Sequence, residues 1–145
     1  NVHANCTWIM AYPGEELKHL KTSIAFILWQ QQFWTNGLTP GTSRYEANLA
    51  GVNQKMFTAT AYPGTEMWRV VKPKLTKHFG ITYDKFGQPT CDNNFHKYVL
   101  ELDDATKVLN DKNGNPVNFG EMPLDTFLQA REYVDAGNIE KVLEM

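Results

Sequence analysis

Glu66 has Tyr62 four residues before it and Trp68 two residues after it. A carboxylate with two aromatic rings close by can hold a cation, by charge on one side and by attraction to a ring face on the other. Glu66 is therefore the candidate catalytic residue, with Tyr62 and Trp68 as substrate-binding side chains. The plainer alternative is a solvated strand-edge charge beside two packing rings. A second candidate lies in residues 37–44, where Gly41 permits close backbone approach and Thr42 and Ser43 offer hydroxyls. Arg44 could there hold a carboxylate or phosphate through two parallel hydrogen bonds. That stretch carries neither a Walker nor a dinucleotide fingerprint, and an ordinary polar loop has the same composition.

Other groupings fall short of chemistry. Residues 111–115, Asp-Lys-Asn-Gly-Asn, supply alternate oxygen ligands, but a calcium loop needs glycine at position six and a carboxylate at position twelve. Pro116 and Met122 stand there. His3, Cys6, Cys91 and His96 have the donor types of a tetrahedral zinc site without its spacing. Cys91 with His96 or His78, oriented by Asp92 or Asp84, has no local signature of a nucleophile pair. No metal and no cofactor are expected.

These residues are positioned by a repeated element. The hexapeptide Ala-Tyr-Pro-Gly-x-Glu occurs at residues 11–16 and again at 61–66, each time after a β-prone apolar run. Proline presets φ at the first central position of a turn and glycine accepts the positive φ of the second, so each copy reads as a type II turn ending a strand. Strand one covers residues 6–12. A helix over 15–36 follows, with Leu17, Leu20, Ile24, Ile27 and Leu28 at helical spacing. Ala25, Phe26, Trp29, Phe33 and Trp34 widen its apolar arc so far that a second packing partner is needed, either another helix or another subunit. Residues 37–54 form a long loop, shortened by a helix over 45–50.

The second copy reads differently. Residues 56–61 form strand two, 62–65 the turn and 66–71 strand three, because Val70 and Val71 favour a strand and Pro73 discourages a helix running through Lys72. Pro73 then opens a helix over 73–79, stopped by Gly80. The rival reading is one kinked helix over 66–79, which would make the repeat a true duplication. Residues 81–94 are turn-rich, 96–102 form strand four, 107–110 and 116–119 a hairpin, and 123–136 a last helix, with a possible final turn at 139–143. The order is that of a single α+β domain, 1–145: a ferredoxin-like βαββαβ sandwich with a C-terminal hairpin and helix. Such a fold hosts many functions, so function has to come from a site.

The chain has 145 residues, 42% hydrophobic and 21% charged, with a net charge of −2. That composition is ordinary for a soluble globular protein, and no apolar run approaches the roughly 18 residues of a membrane span. Without a dense basic cluster, nucleic acid is not an expected partner. A cytoplasmic protein with reduced cysteines is expected, although Cys6 and Cys91 could pair.

Tyr62-Pro63-Gly64-Thr65-Glu66, followed by a β-prone run and a helix and then by Phe86-Gly87-Gln88, resembles phage-encoded S-adenosylmethionine-degrading lyases. The match covers about a fifth of the chain, and Lys55 stands where that family has a tyrosine. The resemblance implies a ferredoxin-like trimer with an intersubunit pocket. It also implies metal-independent cleavage of S-adenosylmethionine to methylthioadenosine and homoserine lactone, with Glu66 as the family's glutamate. The alternative from the residues alone is a non-catalytic binding or inhibitory module that recognises an anionic ligand or a protein partner. A small-molecule ligand and homo-oligomerisation are the expected associations.

Overall fold

In a computed structural model, which describes residues 4–50, 52–102 and 107–145, two strands pair in parallel. Strand β1 (Ala4–Met10) and strand β2 (Val52–Thr58) run in register, from Ala4 opposite Val52 to Met10 opposite Thr58. A parallel pair cannot be closed by a tight turn and needs a crossover. Helix α1 (Leu17–Thr35) and helix α2 (Ser43–Ala50) supply it. Four helices follow: α3 (Glu66–Phe79), α4 (Asn93–Glu101), α5 (Leu124–Asp135) and α6 (Lys141–Glu144).

The ferredoxin-like α+β sandwich is therefore not the fold. Among the described residues there are six helices and one two-stranded parallel sheet. The segment expected as strand three, 66–71, is the first half of α3, and the helix expected at 73–79 is its second half. Trp68, Val71, Leu75 and Phe79 recur at intervals of three and four and are all buried, so one helical stripe settles the conformation against the β preference of the valines. Pro73 lies inside α3, and its ring is on the exposed side. The segment expected as strand four, 96–102, belongs mainly to α4. There Asp92 caps the helix by accepting from the backbone N–H groups of Asn94 and Phe95, both at 3.0 Å. The hairpin expected at 107–119 contracts to a single bridged pair, Asn110 with Pro116. Its turn is held by the Asp111 carboxylate, which accepts from the N–H groups of Asn113 and Asn115.

The repeat is a duplication in structure. Each copy leads from a strand into a helix through the same turn, with Glu15 N–H donating to Tyr12 O at 2.8 Å and Thr65 N–H to Tyr62 O at 3.2 Å. Gly14 and Gly64 take φ of +86° and +84°, as a type II turn requires. The rival reading of the sequence was the right one.

Two apolar clusters result, one nested in the other along the chain. The inner cluster runs from Ala61 to Phe119 and gathers α3, α4 and the segments after them around Trp68, Phe79 and Tyr98. The outer cluster joins Met10, Leu20, Ile24, Ile27 and Met56 to Met122, Phe127, Ala130 and Val142. The segment 118–122 ties them together: Glu121 N–H donates to Glu15 O, and the Lys74 ammonium donates to the carbonyls of Phe119 and Gly120 at 2.9 and 3.3 Å.

Candidate functional site

The turn and first two turns of α3 form one wall of a cleft of about 360 Å3 whose other wall is the loop carrying Phe86, Gly87 and Gln88. Thr65 caps α3, its hydroxyl oxygen accepting from Trp68 N–H at 3.2 Å while the hydroxyl donates to Tyr62 O at 2.7 Å. Asp84 builds the opposite wall. Its side chain accepts from Phe86 N–H and Gln88 N–H at 2.8 and 2.9 Å, and Tyr83 and Pro89 bridge at the base of the loop. This fold of the loop puts Phe86 at its tip with 76% of its surface exposed.

Glu66, Arg69 and Lys72 follow one another at intervals of three along the cleft wall of α3. Arg69 donates to Glu66 Oε1 from both Nε (3.2 Å) and Nη2 (2.5 Å), and that bond keeps the guanidinium firmly protonated. Lys72 reaches across the cleft, its ammonium 2.9 Å from Gly87 O and 4.2 Å from the centre of the Tyr83 ring. Arg69, Lys72 and Lys85, whose ammonium lies 5.0 Å over the Phe86 ring, stand against the carboxylates of Glu66 and Asp84, which leaves a surplus positive charge beside an exposed ring.

The candidate residues do not all gather here. Glu66 lines the cleft, but as the exposed ion-pair partner of Arg69. Trp68 lines it but is almost wholly buried. The indole is 5% exposed and packs against Tyr83, Phe95 and Tyr98 in the inner cluster. Tyr62 faces a different hollow, with Pro63, Val99 and Leu102. Ser43 and Arg44 open α2 and Thr42 precedes it, and none of the three lines the cleft. The Thr42 hydroxyl donates to Thr39 O at 2.8 Å and accepts from Tyr45 N–H at 3.3 Å, which makes it a helix-starting residue. Arg69 and Lys72 are the cleft residues that the sequence does not single out, because intervals of three mean nothing until 66–79 is a helix, and Asp84 enters there only as an orienter for Cys91.

A larger hollow, about 460 Å3, lies between α1, β2 and α5 and contains none of the candidate residues. Its buried Arg131 donates to both carboxylate oxygens of Asp135 and to Met56 O. Among the described residues no three His, Cys, Asp or Glu side chains converge as a metal site requires; His3 lies outside those residues. Cys6 and Cys91 are both free thiols. No helix among the described residues is long and apolar enough to cross a membrane.

Comparisons with protein-family models, with curated proteins and with solved structures find no match to this chain. The two stretches that carry the resemblance to S-adenosylmethionine lyases, 62–66 and 86–88, do meet at the cleft through Gly64–Glu66 and Phe86–Gln88. The ferredoxin-like fold that came with the resemblance is absent, and the lyase and S-adenosylmethionine expectations lose that support.

Proposed function

We propose that the chain is a binding module for a small anion carrying a flat ring, such as a nucleotide, held in the cleft between α3 and the loop 83–89. The observation that carries this reading is the placement of Arg69 and Lys72 one turn apart on α3 opposite the exposed ring of Phe86. The guanidinium keeps donors beyond those given to Glu66 and can bind phosphate or carboxylate oxygens, while Phe86 offers a face for stacking. Glu66 then serves to orient Arg69. A sulfonium cation would meet the surplus positive charge, which disfavours it relative to an anion.

The test is a melting-temperature screen against nucleoside mono- and diphosphates, inorganic phosphate and S-adenosylmethionine. A ligand at 100 times its Kd adds about 2.7 kcal/mol to the native state, a readily measured shift. A nucleotide is expected to raise the melting temperature of the parent chain and to lose that effect in Arg69→Ala, with a smaller loss in Phe86→Ala. Both side chains are exposed, so the variants should fold. A shift from S-adenosylmethionine with conversion to methylthioadenosine, abolished in Glu66→Gln, would replace the binding reading with a catalytic one. No shift from any compound would remove the cleft as a small-molecule site.

A further inference from the structure

Helix α1 carries two apolar seams. Leu20, Ile24 and Ile27 are buried in the outer cluster. Phe26, Trp29 and Phe33 repeat at intervals of three and four, and at 100° per residue their mean direction is about 150° away from the buried seam. Together with Trp34 they form a continuous ladder of rings. Phe26 lies 5.5 Å from Trp29 and Trp29 lies 5.6 Å from Phe33, both stacked at 28°, and Trp34 closes the row edge-on. Each of the four is between 46% and 63% exposed. Because the rings stack on one another, the ladder turns its edges outward and offers packing surface more than flat faces for a sugar or a base.

We propose that two copies of this chain pair through this seam, α1 running antiparallel to its copy about a two-fold axis near Trp29. Three observations favour a second copy over other occupants. The seam has the a-d-a spacing with which helices pack along one another, and an isologous pair places each seam against its own equal. No Asp, Glu, Lys or Arg occurs from Ser23 to Ser43, so the patch lacks the charge to select a charged partner; beyond its ends the charges are mixed, Lys18, Lys21 and Arg44 with Glu15, Glu16 and Glu46, without the basic excess that draws an interfacial helix to an anionic membrane. The third is area. The four rings expose about 300–500 Å2, the share expected of the apolar centre of a standard interface to which each partner contributes roughly 800 Å2.

Sedimentation equilibrium or light scattering on the full chain tests the pairing. The parent is expected at twice 16.6 kDa, and Phe33→Glu at 16.6 kDa with unchanged circular dichroism. Leu100→Glu, at a 76%-exposed position on α4, is expected to stay dimeric. In an antiparallel pair residue 26 lies across from residue 33, so Phe26→Lys mixed with Phe33→Glu should restore the dimer that neither variant forms alone. A monomeric parent, a dimeric Phe33→Glu, a monomeric Leu100→Glu or no recovery on mixing would overturn the proposal. So would a monomeric parent captured by phosphatidylcholine vesicles, which would make lipid the occupant.

Discussion

Glu15, the variable residue of the first hexapeptide, is the half-buried carboxylate of the repeat, whereas Glu16 is exposed and paired with Lys18. Its side chain accepts from Ala11 N–H, and Ala11 sits at φ +64° with no exposed surface. Burial pushes the Glu15 carboxyl above the ordinary glutamate range, against the Ala11 bond and nearby His19, which pull it down. A raised folded-state value means that Glu15 contributes stability below its unfolded pKa, and that this contribution is lost as pH rises through the folded value. Glu15→Gln keeps an oxygen for Ala11 N–H without the charge. Its melting temperature should match the parent in acid and exceed it increasingly toward neutrality; a gap independent of pH would sink this account. The second copy is anchored differently. Tyr98, buried in the inner cluster, donates its hydroxyl to Ala61 O at 2.7 Å, and burial lifts its phenol above the usual tyrosine range. Tyr98→Phe leaves that carbonyl unpaired and should cost about 1–3 kcal/mol in denaturant unfolding.

At the scale of elements, the turns and the first helix were legible in the sequence, and so was the turn of residues 111–115. Tyr-Pro-Gly fixes a turn by local sterics alone, and α1 declares itself through a long helical stripe. Helix α3 is only the rival reading of the sequence, and α4 reads there as a strand. Their signals are a cap and a stripe, Thr65 before Trp68, Val71, Leu75 and Phe79, and Asp92 before Phe95, Tyr98 and Leu102. For α3 the β preference of Val70 and Val71 and the presence of Pro73 outweigh those signals when read locally, for α4 the alternation over 96–102 does, and burial of each stripe reverses the balance. Of the site, Glu66 and the stretch 86–88 were legible, but Arg69 and Lys72 were not, because only a helix brings side chains three apart to one face. Pro73 removes a backbone donor within α3 on its exposed side. Pro73→Ala should therefore raise stability, by up to about 3 kcal/mol. A loss of stability would mean that the cleft wall depends on the bend proline imposes there.

For the molecule as a whole, the joint between the two clusters is made of backbone packed on backbone. A Cβ added at Gly120 would lie 3.1 Å from Glu15 O and 3.2 Å from Ala11 Cα, neither of which can swing aside as a side chain could. Gly120→Ala is expected to cost about 1–3 kcal/mol, read as a lower denaturant midpoint for the whole chain. An unchanged midpoint would show that segment 118–122 yields without cost. The nesting of the clusters also sets a timetable for synthesis. Everything the inner cluster needs has been made once Phe119 is added, but Leu20, Ile24 and Ile27 must wait for Phe127, Ala130 and Val142. At translation rates of about 5–20 residues per second, that leaves the apolar side of α1 with no cover beyond Met10 and Met56 of the two strands for most of roughly 6–24 s on every ribosome. The segment most in need of shelter during birth is thus the earliest long helix made, and the last to be enclosed.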